Sequence, residues 1–78
     1  MSTNKILVVD DEQNIRDIFQ TFLQEMGYFV CTAIDGLDAL EKVAKERFDL
    51  YIVDIYMPRM GGLELISRLK DMQPSAVI

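Results

Sequence analysis

The stretch "LYIVDIYMPRMGG", residues 50–62, ends a strand-forming apolar run on one bare carboxylate, Asp54. The chain then breaks at once into a Met57-Pro58 turn and a pair of glycines, Gly61 and Gly62. An apolar run without alternation marks a strand covered on both faces, as in a parallel sheet, and the expected strand covers residues 49–55. A lone charge at the end of such a strand calls for a reason, and the flanking sequence supplies one.

Toward the N-terminus, residues 6–9, Ile-Leu-Val-Val, form a run of the same kind. From residue 12 the period changes: Ile15, Ile18, Phe19, Phe22, Leu23 and Met26 make one stripe of a helix. Asp11 is its expected N-cap, and Gly27 stands where a left-handed residue stops a helix. Residues 28–33 have the β-branched and aromatic content of a second strand. Asp35, with Asp38 three residues on, opens a second helix whose expected apolar face is Leu37, Leu40, Val43 and Ala44. Past the quoted stretch, Gly61 and Gly62 open a third helix with Leu63, Leu65, Ile66, Leu69 and Met72 as its apolar positions, and Pro74 ends it. Residues 76–78 begin a fourth strand. The order βαβαβα(β), with short connections, implies right-handed parallel crossovers and an α/β class with a parallel sheet.

The chain has 78 residues, 13 acidic and 8 basic side chains and a net charge of −5, which bounds it to one small acidic domain. With no stripe of Lys and Arg, nucleic-acid binding by this segment is not expected. No apolar run approaches a membrane span, and residues 1–5 do not resemble a signal peptide. The single Cys31 reads as a small core residue of a reducing compartment, so the expected location is cytoplasmic.

In an open parallel sheet, ligands bind beyond the carboxyl ends of the strands, where the winding reverses. Asp10 and Asp11 follow the first strand and Asp54 closes the third. If the first strand lies between the other two, these carboxylates converge. Taken singly, each has an ordinary explanation: Asp11 as a cap, Asp10 as a solvated loop residue, Asp54 as turn chemistry. Together they repel unless a cation offsets them, and a hard ion such as Mg²⁺ suits an all-oxygen set. The sequence contains no His, so zinc is unsupported.

"ILVVDDEQNIRDIF", "AIDGLDAL" and "DLYIVDIYMPRMGGLEL" resemble, in order and spacing, the receiver domain of bacterial two-component response regulators. The resemblance implies a flavodoxin-like, doubly wound parallel sheet. It also implies that Asp54 is the phosphoacceptor. Asp11 would hold Mg²⁺ directly, Asp10 mainly through a metal-bound water, and Asp54 and the backbone carbonyl of Tyr56 would complete the set. The implied partner is a sensor histidine kinase whose phosphohistidine is the donor, and the module is not an enzyme with turnover. Pro58 would stiffen the turn after Asp54, and the Tyr56 ring would shield an acyl phosphate at the pocket mouth.

Against the family pattern, residues 1–78 correspond to the N-terminal part of a receiver, without a fourth helix, fifth strand and fifth helix. Those parts carry a phosphate-binding Ser/Thr, a switch aromatic and a Lys, for which Lys70 in the third helix is no substitute. Losing that Lys is expected to impair phosphorylation, by about 3 kcal/mol if it resembles a lost oxyanion donor. Uncovered sheet edge and face are expected to favour a homo-oligomer. A DNA-binding output domain is possible in a full-length protein. Competing readings are a half-domain serving only as an oligomerising scaffold, a flavin-binding module, and a metal-dependent phosphohydrolase. The last wants Asp-x-Asp on the first strand, where this chain has Asp10-Asp11-Glu12.

Overall fold

Three consecutive apolar runs become three parallel strands, each followed by a helix, in a computed structural model that describes residues 4–57, 60–74 and 77–78. The elements are β1 (Lys5–Val9), α1 (Gln13–Glu25), β2 (Phe29–Ala33), α2 (Gly36–Lys45), β3 (Leu50–Val53) and α3 (Gly62–Met72). The sheet order is β2-β1-β3, with Val9 opposite both Ala33 and Val53. The first strand is therefore central, and the winding reverses beside it.

Side chains of a strand alternate between faces, and β1 is buried on both. Leu7 and Val9 join Ala39, Val43, Tyr51, Leu65 and Leu69 in the larger core, beneath α2 and α3. Ile6 and Val8 join Val30 on the opposite face, where Leu23 of α1 packs. That side is thinly covered. No residue of α1 is fully buried, and Ile18, Phe22 and Met26 are 64%, 59% and 58% exposed. The helical stripe read from the sequence exists, but α1 is the only described helix over that face, so only part of the stripe meets the sheet.

Gly27 is the left-handed residue the sequence implied, at φ 95°. Around it the Gly27 amide donates to the Gln24 carbonyl at 3.0 Å and the Tyr28 amide to that of Leu23 at 3.1 Å, a paired ending that satisfies the last carbonyls of α1. At the other end the expectation fails. The N-cap is Glu12, not Asp11, and no side chain caps α1. For α2 the expected cap is present: Asp35 accepts from the Asp38 amide at 2.8 Å, while Asp38 accepts from the amide of Ile34, one residue before the cap, at 3.0 Å.

The buried face of α2 is Gly36, Ala39 and Val43, with Leu40 half-buried, whereas the expected Leu37 and Ala44 are exposed. Close approach selects small side chains here, because a Cβ on Gly36 would lie 2.7 Å from Met60 Cβ. In α3, Leu65 and Leu69 are buried as expected, but Leu63 and Met72 are exposed. The third strand is shorter than residues 49–55, because the backbone turns away after the Asp54 amide. Of the expected fourth strand, Val77 forms one parallel bridge to Leu50, its carbonyl accepting from the Tyr51 amide at 2.9 Å. Pro58 and Ala76 lie outside the described residues.

Candidate functional site

The ladder on either side of β1 continues one rung past the strands. The Asp54 amide donates to the Val9 carbonyl at 3.0 Å, and the Asp10 amide to the Ala33 carbonyl at 3.1 Å. These two bonds carry Asp10 and Asp54 to the same edge of the sheet. Each of Asp10, Asp11 and Asp54 has a carboxylate oxygen within 4.8 Å of the others'. Asp10 and Asp54 are half-buried and Asp11 is exposed. The convergence anticipated from strand order is present in the structure.

Local hydrogen bonds orient the two half-buried groups. Asp10 Oδ1 accepts from the Glu12 amide at 2.9 Å, closing a turn that points the chain into α1. Asp54 Oδ1 accepts from the Tyr56 amide at 3.2 Å, so the backbone folds back over the carboxylate. The Gly62 amide donates to the Ile55 carbonyl at 2.9 Å and ties this turn to α3. Gly62 is required by contact: a Cβ there would stand 2.3 Å from the Asp54 carbonyl oxygen. The Tyr56 ring stands in solvent, 88% exposed.

Two features escaped the sequence reading. Arg16 Nη1 donates to the Asp10 carbonyl at 2.7 Å, joining the first turn of α1 to the end of β1. Its charge also reaches the start of α2. Burial alone pushes the Asp38 carboxyl up, but the Ile34 amide, Lys42 and the more distant Arg16 together hold it below its ordinary value. The second is the seat of Met60 on Gly36, which fastens the segment after Asp54 to the N-terminus of α2. The available signals were an arginine one helical turn beyond an Asp-Asp pair and a glycine at a helix start.

The donor set fits a hard divalent ion. Three carboxylates offer only oxygen, and Cys31 is away from them, in β2 beside Glu46. Burial, then Glu46, pushes the Cys31 thiol up, as suits a packing residue. Two oxygens on one Mg²⁺ at about 2.1 Å are at most about 4.2 Å apart. Carboxylates gathered within 4.8 Å therefore match an ion held partly through water.

A flavodoxin-like parallel sheet with acidic groups at the winding reversal defines a class of small α/β modules with a charged pocket at the strand ends. Within that class the chain belongs to the response regulator receiver domain family, whose profile matches residues 6–78. It is 42% identical over 69 residues to the alkaline phosphatase synthesis transcriptional regulatory protein PhoP of Bacillus subtilis (strain 168), covering 88% of this chain and 29% of that protein. The response regulator TrrA of Thermotoga maritima, solved in complex with Mg²⁺ and BeF, aligns with a TM-score of 0.91 at 43% identity, over 95% of this chain and 64% of that one. TrrA in complex with the histidine kinase ThkA aligns with a TM-score of 0.90 and the same identity and coverage. The chain thus spans less than two thirds of the length of these relatives. No helix among the described residues is long and apolar enough to cross a membrane.

Proposed function

We propose that this receiver module accepts a phosphoryl group on Asp54 from a phosphohistidine of a sensor histidine kinase, with Asp10, Asp11 and the Tyr56 carbonyl holding Mg²⁺. The observation that carries the reading is the gathering of three carboxylates at the ends of two adjacent strands. In the step itself an Asp54 carboxylate oxygen attacks phosphorus, an O–P bond forms and the P–N bond to the kinase imidazole breaks. The electron pair stays on the departing nitrogen. When bound, the ion supplies positive charge against the carboxylates' repulsion and the charge growing on the phosphoryl oxygens. Asp54 sits at the end of a hydrogen-bonded strand, with one oxygen held by the Tyr56 amide. The attacking group is oriented before the donor arrives, which lowers the entropic part of the barrier. The protein is a phosphate carrier, modified once per event, and not a turnover enzyme.

The test is incubation with a small phosphodonor and Mg²⁺, read by intact mass and by lability of the adduct to hydroxylamine. One phosphoryl increment that disappears in Asp54→Asn and on chelation is the expected result. Labelling that survives Asp54→Asn refutes it.

Self-association is proposed through the thinly covered face of α1, where Ile18, Phe22 and Met26 are exposed. Asp17 and Glu25 lie beside these residues, so two copies meeting there bring like charges together. Salt should therefore strengthen the association. Sedimentation showing monomers at high protein and high salt concentration removes this reading.

A further inference from the structure

We infer that Arg16 is a positioning residue for the cation site, holding the Asp10–Asp11 segment in its ligating conformation through the Asp10 carbonyl; this rests on the Mg²⁺ reading above. The bond is short, 2.7 Å from Nη1, and part-buried. It falls just past the last backbone bond that ties this segment to the sheet, from the Asp10 amide to the Ala33 carbonyl. With α1 beginning at Gln13, the Asp10 carbonyl, Asp11 and Glu12 bridge sheet and helix. The Glu12 amide bond to Asp10 Oδ1 fixes the side chain of Asp10 against the turn, and the Arg16 bond fixes the peptide that leads into Asp11.

The placement runs against simple electrostatics, which argues that it has a task. Arg16 lies in the first turn of α1, its amide donating to the Glu12 carbonyl at 3.1 Å. A cation at a helix N-terminus opposes the helix dipole, and a cation beside a cation site repels the ion. Nearby carboxylates, Asp38 among them, offset part of this, and a directional contact adds to that offset. A guanidinium on a carbonyl supplies one, and helical side chains lean toward the N-terminus, in the direction Arg16 takes.

The two roles predict opposite signs, so one variant separates them. Arg16→Met keeps the length of the apolar stem and the helix propensity while removing charge and donors. If Arg16 acts only as a nearby charge, its removal tightens Mg²⁺. If it positions the ligands, Mg²⁺ weakens by about tenfold, the lower end of what supporting contacts of metal ligands contribute. The experiment is a calorimetric Mg²⁺ titration of the intact chain, with amide exchange measured on the metal-free protein. Weakened Mg²⁺ together with faster exchange at Asp11 and Glu12, while Leu7 in β1 stays protected, is the expected result. Equal or tighter Mg²⁺, or unchanged exchange at Glu12, overturns the inference. Arg16→Gln is submitted to the same two measurements should Arg16→Met not fold. A wild-type chain that takes up no Mg²⁺ sinks the magnesium reading and this inference with it; a wild-type chain that binds beside an equally tight Arg16→Met sinks only the positioning role.

Discussion

Gly62→Ala sets two effects of opposite sign against each other. Gly62 is the first residue of α3, where alanine is normally preferred over glycine by up to about 1 kcal/mol. Against that gain stands a contact with backbone. The added Cβ would lie 2.3 Å from the Asp54 carbonyl oxygen and 2.6 Å from Ile55 Cα, where 3.4 Å is ordinary contact. Relieving the overlap requires the backbone of Asp54 to withdraw by about 1 Å, and overpacking of this kind costs roughly 1–3 kcal/mol or more. The overlap is severe and involves no flexible side-chain end, so a net loss of about 2 kcal/mol is expected. For a domain of this size that lowers the melting temperature by about 10 °C. Gly61→Ala is the internal control, since its Cβ meets nothing nearer than the Ile55 carbonyl oxygen at 3.6 Å. Its stability should stay within about 0.5 kcal/mol of wild type. Thermal melts followed by circular dichroism read both. Because the displaced group carries Asp54, phosphoryl labelling should fall on the order of 100-fold in Gly62→Ala. A Gly62→Ala protein that melts at or above the wild-type temperature refutes the steric reasoning.

Gly36→Ala should lose about 1–3 kcal/mol against Met60. Adding Met60→Ala to it should cost less than the two single losses together, and strict additivity in urea titrations contradicts the contact. Tyr51→Phe removes the 2.6 Å bond from the Tyr51 hydroxyl to Gln73 Oε1, which closes the end of α3. A loss of about 0.5–1.5 kcal/mol is expected, and an unchanged urea midpoint denies the bond any contribution. Against the effect of burial, the Ile34 amide and Lys42 hold the folded-state carboxyl of Asp38 below its ordinary, unfolded value. Its stabilisation is therefore fully present above that unfolded value and is lost as pH falls through the lower folded value. Urea midpoints of wild type and Asp38→Asn should converge on acidification through this window; a constant gap shows that the Asp38 charge is not responsible.

Much of the site was readable because it depends on the order of strands. Continuous apolar runs and helical stripes implied a parallel sheet, whereas a central β1 entered only as a condition and through the receiver resemblance; the observed order meets that condition and brings Asp10 and Asp54 together. Reading failed where contact distance, not hydrophobicity, chooses the residue. Leu37 was expected on the buried face of α2, yet Gly36 and Ala39 occupy it because the helix comes close to its neighbours. It failed again where an aspartate has two possible uses. Asp11 resembles a helix cap, but α1 starts one residue later with Glu12 as its N-cap, and Asp11 lies at the pocket. Arg16 was passed over because its partner is a main-chain carbonyl, which the position of an arginine after an Asp-Asp pair does not by itself identify.

The bond from the Asp54 amide to the Val9 carbonyl has a bearing on how such a module can diverge. Parallel ladders admit only whole-residue steps, and a single step would turn Asp54 to the reverse side of the sheet. Strand pairing thus works as an indexing pawl: the pocket is assembled in one setting, and no intermediate adjustment exists. Variation in lifetime or recognition has to be written in the turns after Asp10 and Asp54, where a side chain can change without disengaging the pawl.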